Sequence, residues 1–106
     1  MLAGKEYMQF TSKQRAYLRS LAQTTDPIFQ VGKSAVSPEV IGAISEAFNT
    51  RELIKITILK NCPEDVKTAG IMLAERTRSD LVEVIGRKVV LYKRFQENPE
   101  IILPRK

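Results

Sequence analysis

Histidine and tryptophan are absent from this 106-residue sequence, and cysteine occurs once, as Cys62. Without histidine there is no Ser-His or Cys-His nucleophile pair and no imidazole ligand for a metal. One cysteine cannot close an intrachain disulfide or hold a structural zinc. That usage suits a reducing compartment, and a cytoplasmic location is expected. No apolar run approaches the roughly 18–20 residues of a membrane span. The stretch from Met1 to Phe10 lacks the apolar core of a secretory signal. Cys62 stands at a predicted helix start, and nothing near it in sequence would serve as its base. It reads as a partly buried structural thiol, with a reactive thiol in a small enzyme as the alternative. These absences exclude most enzyme templates. They leave no cofactor, no metal and no membrane partner to expect.

What the sequence has is positive charge. Seventeen lysines and arginines stand against twelve acidic residues, a net charge of +5 and a pI near 9.6. That balance points to an anionic partner, of which nucleic acid is the commonest. The hydrophobic share of 43% and charged share of 27% are those of a globular domain. The length suits one domain with a real core. Residues 1–10 show no periodicity and read as an arm or extension. The domain is expected over 11–104.

The chain is organised around Ile28-Phe29-Gln30-Val31-Gly32-Lys33-Ser34-Ala35-Val36-Ser37. A short apolar strand enters a glycine, a basic loop follows, and Ser37-Pro38 then starts a helix. Serine suits the N-cap and proline the first helical position. Backbone N–H groups at such a junction are partly unpaired, and the helix dipole favours an anion there. With Lys33 the stretch reads as a phosphate-binding corner. An ordinary strand-to-helix turn with a solvated lysine is the alternative.

The first helix is predicted over Ser12 to about Thr24, with Thr11 and Gln14 at capping-box spacing. Gln14, Tyr17, Leu18, Leu21 and Ala22 share one predicted inner side. Arg15 and Arg19, with Lys13 beside them, form a basic stripe away from it, either placed to meet phosphate or simply solvated. Asp26-Pro27 ends that segment. The second helix, Pro38 to about Arg51, carries its apolar stripe on Val40, Ile41, Ile44, Ala47 and Phe48. Leu53 to Leu59 is the strongest strand, with Ile54, Ile56 and Ile58 on one face. A third helix is expected from Pro63 to about Arg78, with Gly70 on its inner face marking a close approach to the sheet.

Asp80–Ile85 and Lys88–Lys93 alternate around Gly86-Arg87 as a β-hairpin, with Val82 and Val84 on one face. Its tip presents Arg87 and Lys88, a second basic point. Ile101-Ile102-Leu103 in a polar tail suggests docking back onto the domain. The order α-β-α-β-α-β-β gives an α/β (α+β) fold: one domain, a four-stranded mixed sheet, helices packed on it.

Several segments together resemble the CRM domain family, and most of all its bacterial single-domain YhbY-type members. They are Ser12-Lys13-Gln14-Arg15-Ala16-Tyr17-Leu18-Arg19, Pro27-Ile28-Phe29-Gln30-Val31-Gly32-Lys33 and Arg51-Glu52-Leu53-Ile54-Lys55-Ile56. Val84-Ile85-Gly86 and Val89-Val90-Leu91-Tyr92 complete the set. The resemblance covers about residues 11–104. It implies a fold similar to the C-terminal domain of translation initiation factor three. It also implies a KH-like GxxG loop that contacts RNA, here Gly32, Lys33, Ser34 and Ala35. Alanine at the fourth position departs from the pattern. If that residue needs positive φ, alanine costs roughly 1 kcal/mol. The partner implied is structured ribosomal RNA of the large-subunit precursor, bound without catalysis during ribosome assembly.

The expected RNA-binding residues are therefore Gly32, Lys33, Ser34, Ala35, Lys13, Arg15, Arg19, Arg87 and Lys88, on a monomer. Tyr17 and Phe48 read as core, so no aromatic platform is expected and RNA shape is the feature recognised. A protein-interaction module with an acidic partner is the alternative.

Overall fold

Thr11 opens the first helix through a reciprocal cap. Its Oγ1 accepts from the Gln14 amide at 3.1 Å, and Gln14 Oε1 accepts from the Thr11 amide at 3.1 Å. Helix α1 then runs Ser12–Gln23. The structure, a computed structural model, describes residues 10–34 and 36–104. The predicted arm, apart from Phe10, lies outside them.

Helix α1 buries Gln14, Leu18 and Ala22. Tyr17 departs from expectation, since it is 37% exposed. The buried stripe centres on Leu18, and a neighbour in sequence lies about 100° away on a helix. Arg15, about 60° from Leu18, falls inside the covered arc instead and is half-buried.

Strand β1 is Phe29–Val31, and helix α2 is Pro38–Ala47. Ser37 Oγ caps α2 by accepting from the Val40 amide at 3.2 Å. Strand β2 is Leu53–Ile58 and helix α3 is Val66–Thr77. The third helix starts three residues later than Pro63. Asp65 is its N-cap, accepting from the Thr68 amide at 2.7 Å. That bond holds the Asp65 carboxyl below its ordinary pKa. Strands β3, Asp80–Ile85, and β4, Lys88–Tyr92, form the hairpin. Gly86 has φ +57° at its first loop position, where a two-residue turn demands a left-handed residue.

The four strands lie in the order β1-β2-β4-β3. β1 and β2 are parallel, and both pairs involving β4 are antiparallel. The sheet is mixed, as the element order predicts. Helices α2 and α3 cover one face, over Ile54, Ile56, Ile58, Val89 and Leu91. Gly70 permits the close approach: a Cβ there would lie 2.9 Å from Val89 Cγ1. Helix α1 covers part of the other face, packing Leu18 and Ala22 on Leu53, Val82, Val90 and Tyr92.

The tail docks as expected, with Ile101 and Leu103 joining this second core. Buried Glu52 holds it, accepting from the amides of Phe95, Glu100 and Ile101 at 2.8, 2.9 and 2.6 Å. Gln14 Nε2 adds a bond to the Pro104 carbonyl at 2.9 Å.

One register expectation fails. Leu81 pairs with Leu91, but Glu83 pairs with Val90, so Val82 is an extra residue at a β-bulge. The bulge sends Val82 into the α1 core, while Val84, opposite Val89, takes the other face. Val82 and Val84 therefore do not share a face, because an inserted residue inverts the alternation.

Candidate nucleic-acid interface

The parallel pairing of β1 and β2 sets the loops that follow them side by side. Val31 pairs with Ile58 as the last rung, and the Leu59 amide donates to the Val31 carbonyl at 2.8 Å. The chain then enters the loop at Gly32. A Cβ there would stand 2.9 Å from Asn61 Oδ1 and 3.2 Å from Leu59 Cδ1. Glycine thus lets the turn after β2 close onto the loop. Lys33 and Ser34 are exposed, whereas Val36 turns inward. Arg76 Nη1, from α3, donates to the Val36 carbonyl at 3.2 Å and pins the loop's far side. Ala35, the fourth loop position, lies outside the described residues.

The hairpin tip reaches this same end of the sheet. Arg87 donates through Nε to the Ile58 carbonyl and through Nη2 to the Leu59 carbonyl, both at 2.7 Å. Its guanidinium thereby closes the end of β2 while adding positive charge there. Lys88 pairs with Thr57, one rung from the strand end, and is exposed. Lys60, in the turn after β2, is exposed too. Lys33, Lys60, Arg87 and Lys88 thus come from three separate segments to one end of the sheet, beside the start of α2. Such a cluster favours phosphate, and its lysines act there as point charges.

The α1 residues lie elsewhere, on the sheet face opposite α2 and α3. Lys13 is exposed. Arg15 is tied to the bulge: Nη1 donates to the carbonyls of Val82 at 2.7 Å and Leu81 at 3.4 Å. Its guanidinium also stands 5.7 Å from the centre of the Phe10 ring. Arg19 Nε lies 3.4 Å from Glu83 Oε1. Arg15 and Arg19 therefore both engage β3 rather than forming one unengaged stripe. The Arg19 side chain is 46% exposed, so its pair adds about 1 kcal/mol of stability at most.

Lys60, Asn61 and Arg76 escaped the sequence reading. Parallel strands carry their following loops to one edge, where ligands of open α/β sheets gather. That rule could have found Lys60. No local pattern marks the others.

At the opposite end, Asp80 and Tyr92 form a cross-strand pair. Asp80 Oδ1 and Tyr92 Oη are buried with no hydrogen-bond partner among the described residues. Burial pushes the Asp80 carboxyl up to about 7, against the opposing pull of Arg15. Burial also raises the Tyr92 phenol, with Glu52 adding to the effect. Among the described residues no group of three or more acidic, histidine or cysteine side chains could hold a metal. No described helix is long and apolar enough to cross a membrane.

The molecule is a small α+β domain with a basic cluster at one end of its four-stranded sheet. Residues 10–93 match the CRS1 / YhbY (CRM) domain. The chain belongs to that family, and its domain is a YhbY-type RNA-binding domain. It is 48% identical over 94 residues to the probable RNA-binding protein YqeI of Bacillus subtilis, covering 89% of this chain and 98% of that protein. A Haemophilus influenzae RNA-binding protein is 31% identical over 96 residues, covering 91% of this chain and 96% of that one. The solution structure of a hypothetical Staphylococcus aureus protein, described as a candidate RNA binder, matches with a TM-score of 0.76 and 47% identity. That match covers 91% of this chain and all of the other.

Proposed function

We propose that this protein binds structured ribosomal RNA of the large-subunit precursor through the loop Gly32-Lys33-Ser34-Ala35 and the lysines beside it. It assists ribosome assembly without catalysing a reaction, as a cytoplasmic monomer. The loop works in the manner of a GxxG loop: backbone N–H groups and Lys33 take one phosphate region, and Lys60 and Lys88 take the next. The observation that carries this reading is the convergence of Lys33, Lys60, Arg87 and Lys88 on one end of the sheet. Phosphate contacts of this kind set affinity and position, while the fold of the RNA supplies selectivity.

The test is association with ribosomal particles before and after RNase treatment. Co-sedimentation with large-subunit precursors that RNase abolishes supports the reading. Association that survives RNase points to an acidic protein partner instead.

A further inference from the structure

Helix α1 covers only half of its face of the sheet. The other half, next to the loop, carries one residue from each strand in a single cross-strand row. Gln30 pairs with Thr57, Thr57 with Lys88, and Lys88 with Ile85. Their neighbours on each strand, Val31, Ile56, Val89 and Val84, point to the α2/α3 side, so alternation places all four on the α1 side. None of the four belongs to the core under α1. Gln30, Lys88 and Ile85 are exposed, and Thr57 is half-buried. Among the described residues, Gln30, Thr57 and Lys88 make no side-chain hydrogen bond.

This row lies beside the loop. Gln30 is two residues from Gly32, about 7 Å along an extended strand. Adjacent strands are about 4.8 Å apart, so the amide, hydroxyl and ammonium stand side by side. The charged groups bordering the row on its own face are Lys55 and the Arg19–Glu83 pair, beside the apolar Ile28 and Val90. Lys55 Nζ is held by the Ala22 carbonyl at 3.1 Å. Glu83 is matched by Arg19, so the surface is net positive. None of the four residues of the row has an aromatic ring on which bases could stack. Its chemistry is that of a ribose–phosphate backbone: a cation for phosphate, and two neutral groups able to donate to and accept from a 2′-hydroxyl.

We propose that the open half of the sheet, the row Gln30–Thr57–Lys88, holds the ribose–phosphate backbone of the RNA leaving the loop, and that Gln30 and Thr57 read its 2′-hydroxyls. The row is then where the protein separates RNA from DNA. This rests on the proposed RNA contact at the loop and extends it to a second surface.

The experiment measures binding of the full chain to a stem-loop from large-subunit ribosomal RNA and to a DNA hairpin of the same sequence, across a salt series. Wild type is compared with Gln30→Ala, Gln30→Ala/Thr57→Val, Thr57→Ser, Lys88→Ala and Lys33→Ala, each checked by thermal melting. The double variant is expected to lose about tenfold in RNA affinity. Its DNA affinity and salt slope stay unchanged, so its RNA-to-DNA ratio falls. Thr57→Ser keeps the ratio, because it keeps the hydroxyl. Lys88→Ala weakens RNA and DNA alike and flattens the salt slope by a little under one unit. Gln30→Ala changes an exposed position and lowers the ratio even if the double variant melts early. A wild type with no RNA preference, or a double variant that keeps the wild-type ratio, overturns the proposal. If Lys33→Ala is silent while the ratio still falls, the sheet row stands and the loop reading fails. If Lys33→Ala weakens binding while the ratio holds, the loop stands and the row does not.

Discussion

The Glu52 carboxylate accepts the Ile101 amide at 2.6 Å, and through that bond the end of the chain is fastened to the start of β2. Two further tail amides share the same carboxylate. Charge-assisted bonds to a buried group are among the stronger ones in a protein. Glu52→Ala strips all three amides of their acceptor and is expected to cost about 3 kcal/mol. The measurement is denaturant unfolding combined with limited proteolysis, with cleavage moving into residues 94–104. A variant as stable and as protected as wild type would show that the tail is held by Ile101 and Leu103 packing alone.

Arg15 and Lys13 look equivalent in sequence and are not equivalent in the fold. Arg15 feeds the two carbonyls freed by the bulge at Val82. Lys13 is exposed and has no such task. Arg15→Ala is expected to destabilise by about 1–2 kcal/mol, and Lys13→Ala by less than about 0.5 kcal/mol. Chemical denaturation of the two variants checks this. Equal stabilities would remove the structural role assigned to Arg15.

Asp80 gives the fold a pH dependence of definite sign. Unfolded, its carboxyl titrates near 3.9. Folded, burial raises it to about 7. Between those values the native state holds a proton that the unfolded state has lost. Its contribution to stability is therefore complete below about pH 4 and disappears as pH rises through 7. Asp80→Asn keeps the shape and cannot ionise. It is expected to exceed wild type in stability at pH 8 by on the order of 2 kcal/mol, allowing for water that still reaches the group. The advantage closes by pH 4. Melting temperatures of both proteins from pH 4 to pH 8 give the answer, and a gap independent of pH would contradict it.

Much of this fold is legible in the sequence because its signals are local. The Thr11–Gln14 box, Ser37-Pro38, the isoleucine alternation of β2 and the Gly86 turn each name their element, and each stands where expected. What escaped depends on contacts far along the chain. The bulge at Val82 leaves no mark in a strand that alternates well, yet it inverts the faces of Val82 and Val84. Tyr17 and Arg15 exchange places because the buried arc of α1 is set by where the helix sits on β2 and β3, not by apolar spacing alone. Pro63 is a good first helical residue, but Asp65 is the better cap and begins α3 later.

The candidate site divides in the same way. The loop Gly32-Lys33-Ser34 reads directly from sequence as a basic corner at a helix start. Its joining to Lys60 and to the hairpin tip needs the strand order β1-β2-β4-β3. Arg87 reads from sequence as a basic hairpin tip, and its bonds to Ile58 and Leu59 emerge only once β4 lies beside β2.

The central claim is that the loop end of the sheet is the RNA-binding surface. The most direct measurement is the salt dependence of affinity for a large-subunit ribosomal RNA stem-loop, wild type against the double variant Lys33→Ala/Lys60→Ala. Each lost phosphate contact removes a little under one unit of slope. The account predicts a loss of at least tenfold in affinity and a slope shallower by about 1.5 units, with unfolding unchanged. An unaltered affinity and slope in the folded double variant would contradict it and move RNA binding away from this end of the sheet.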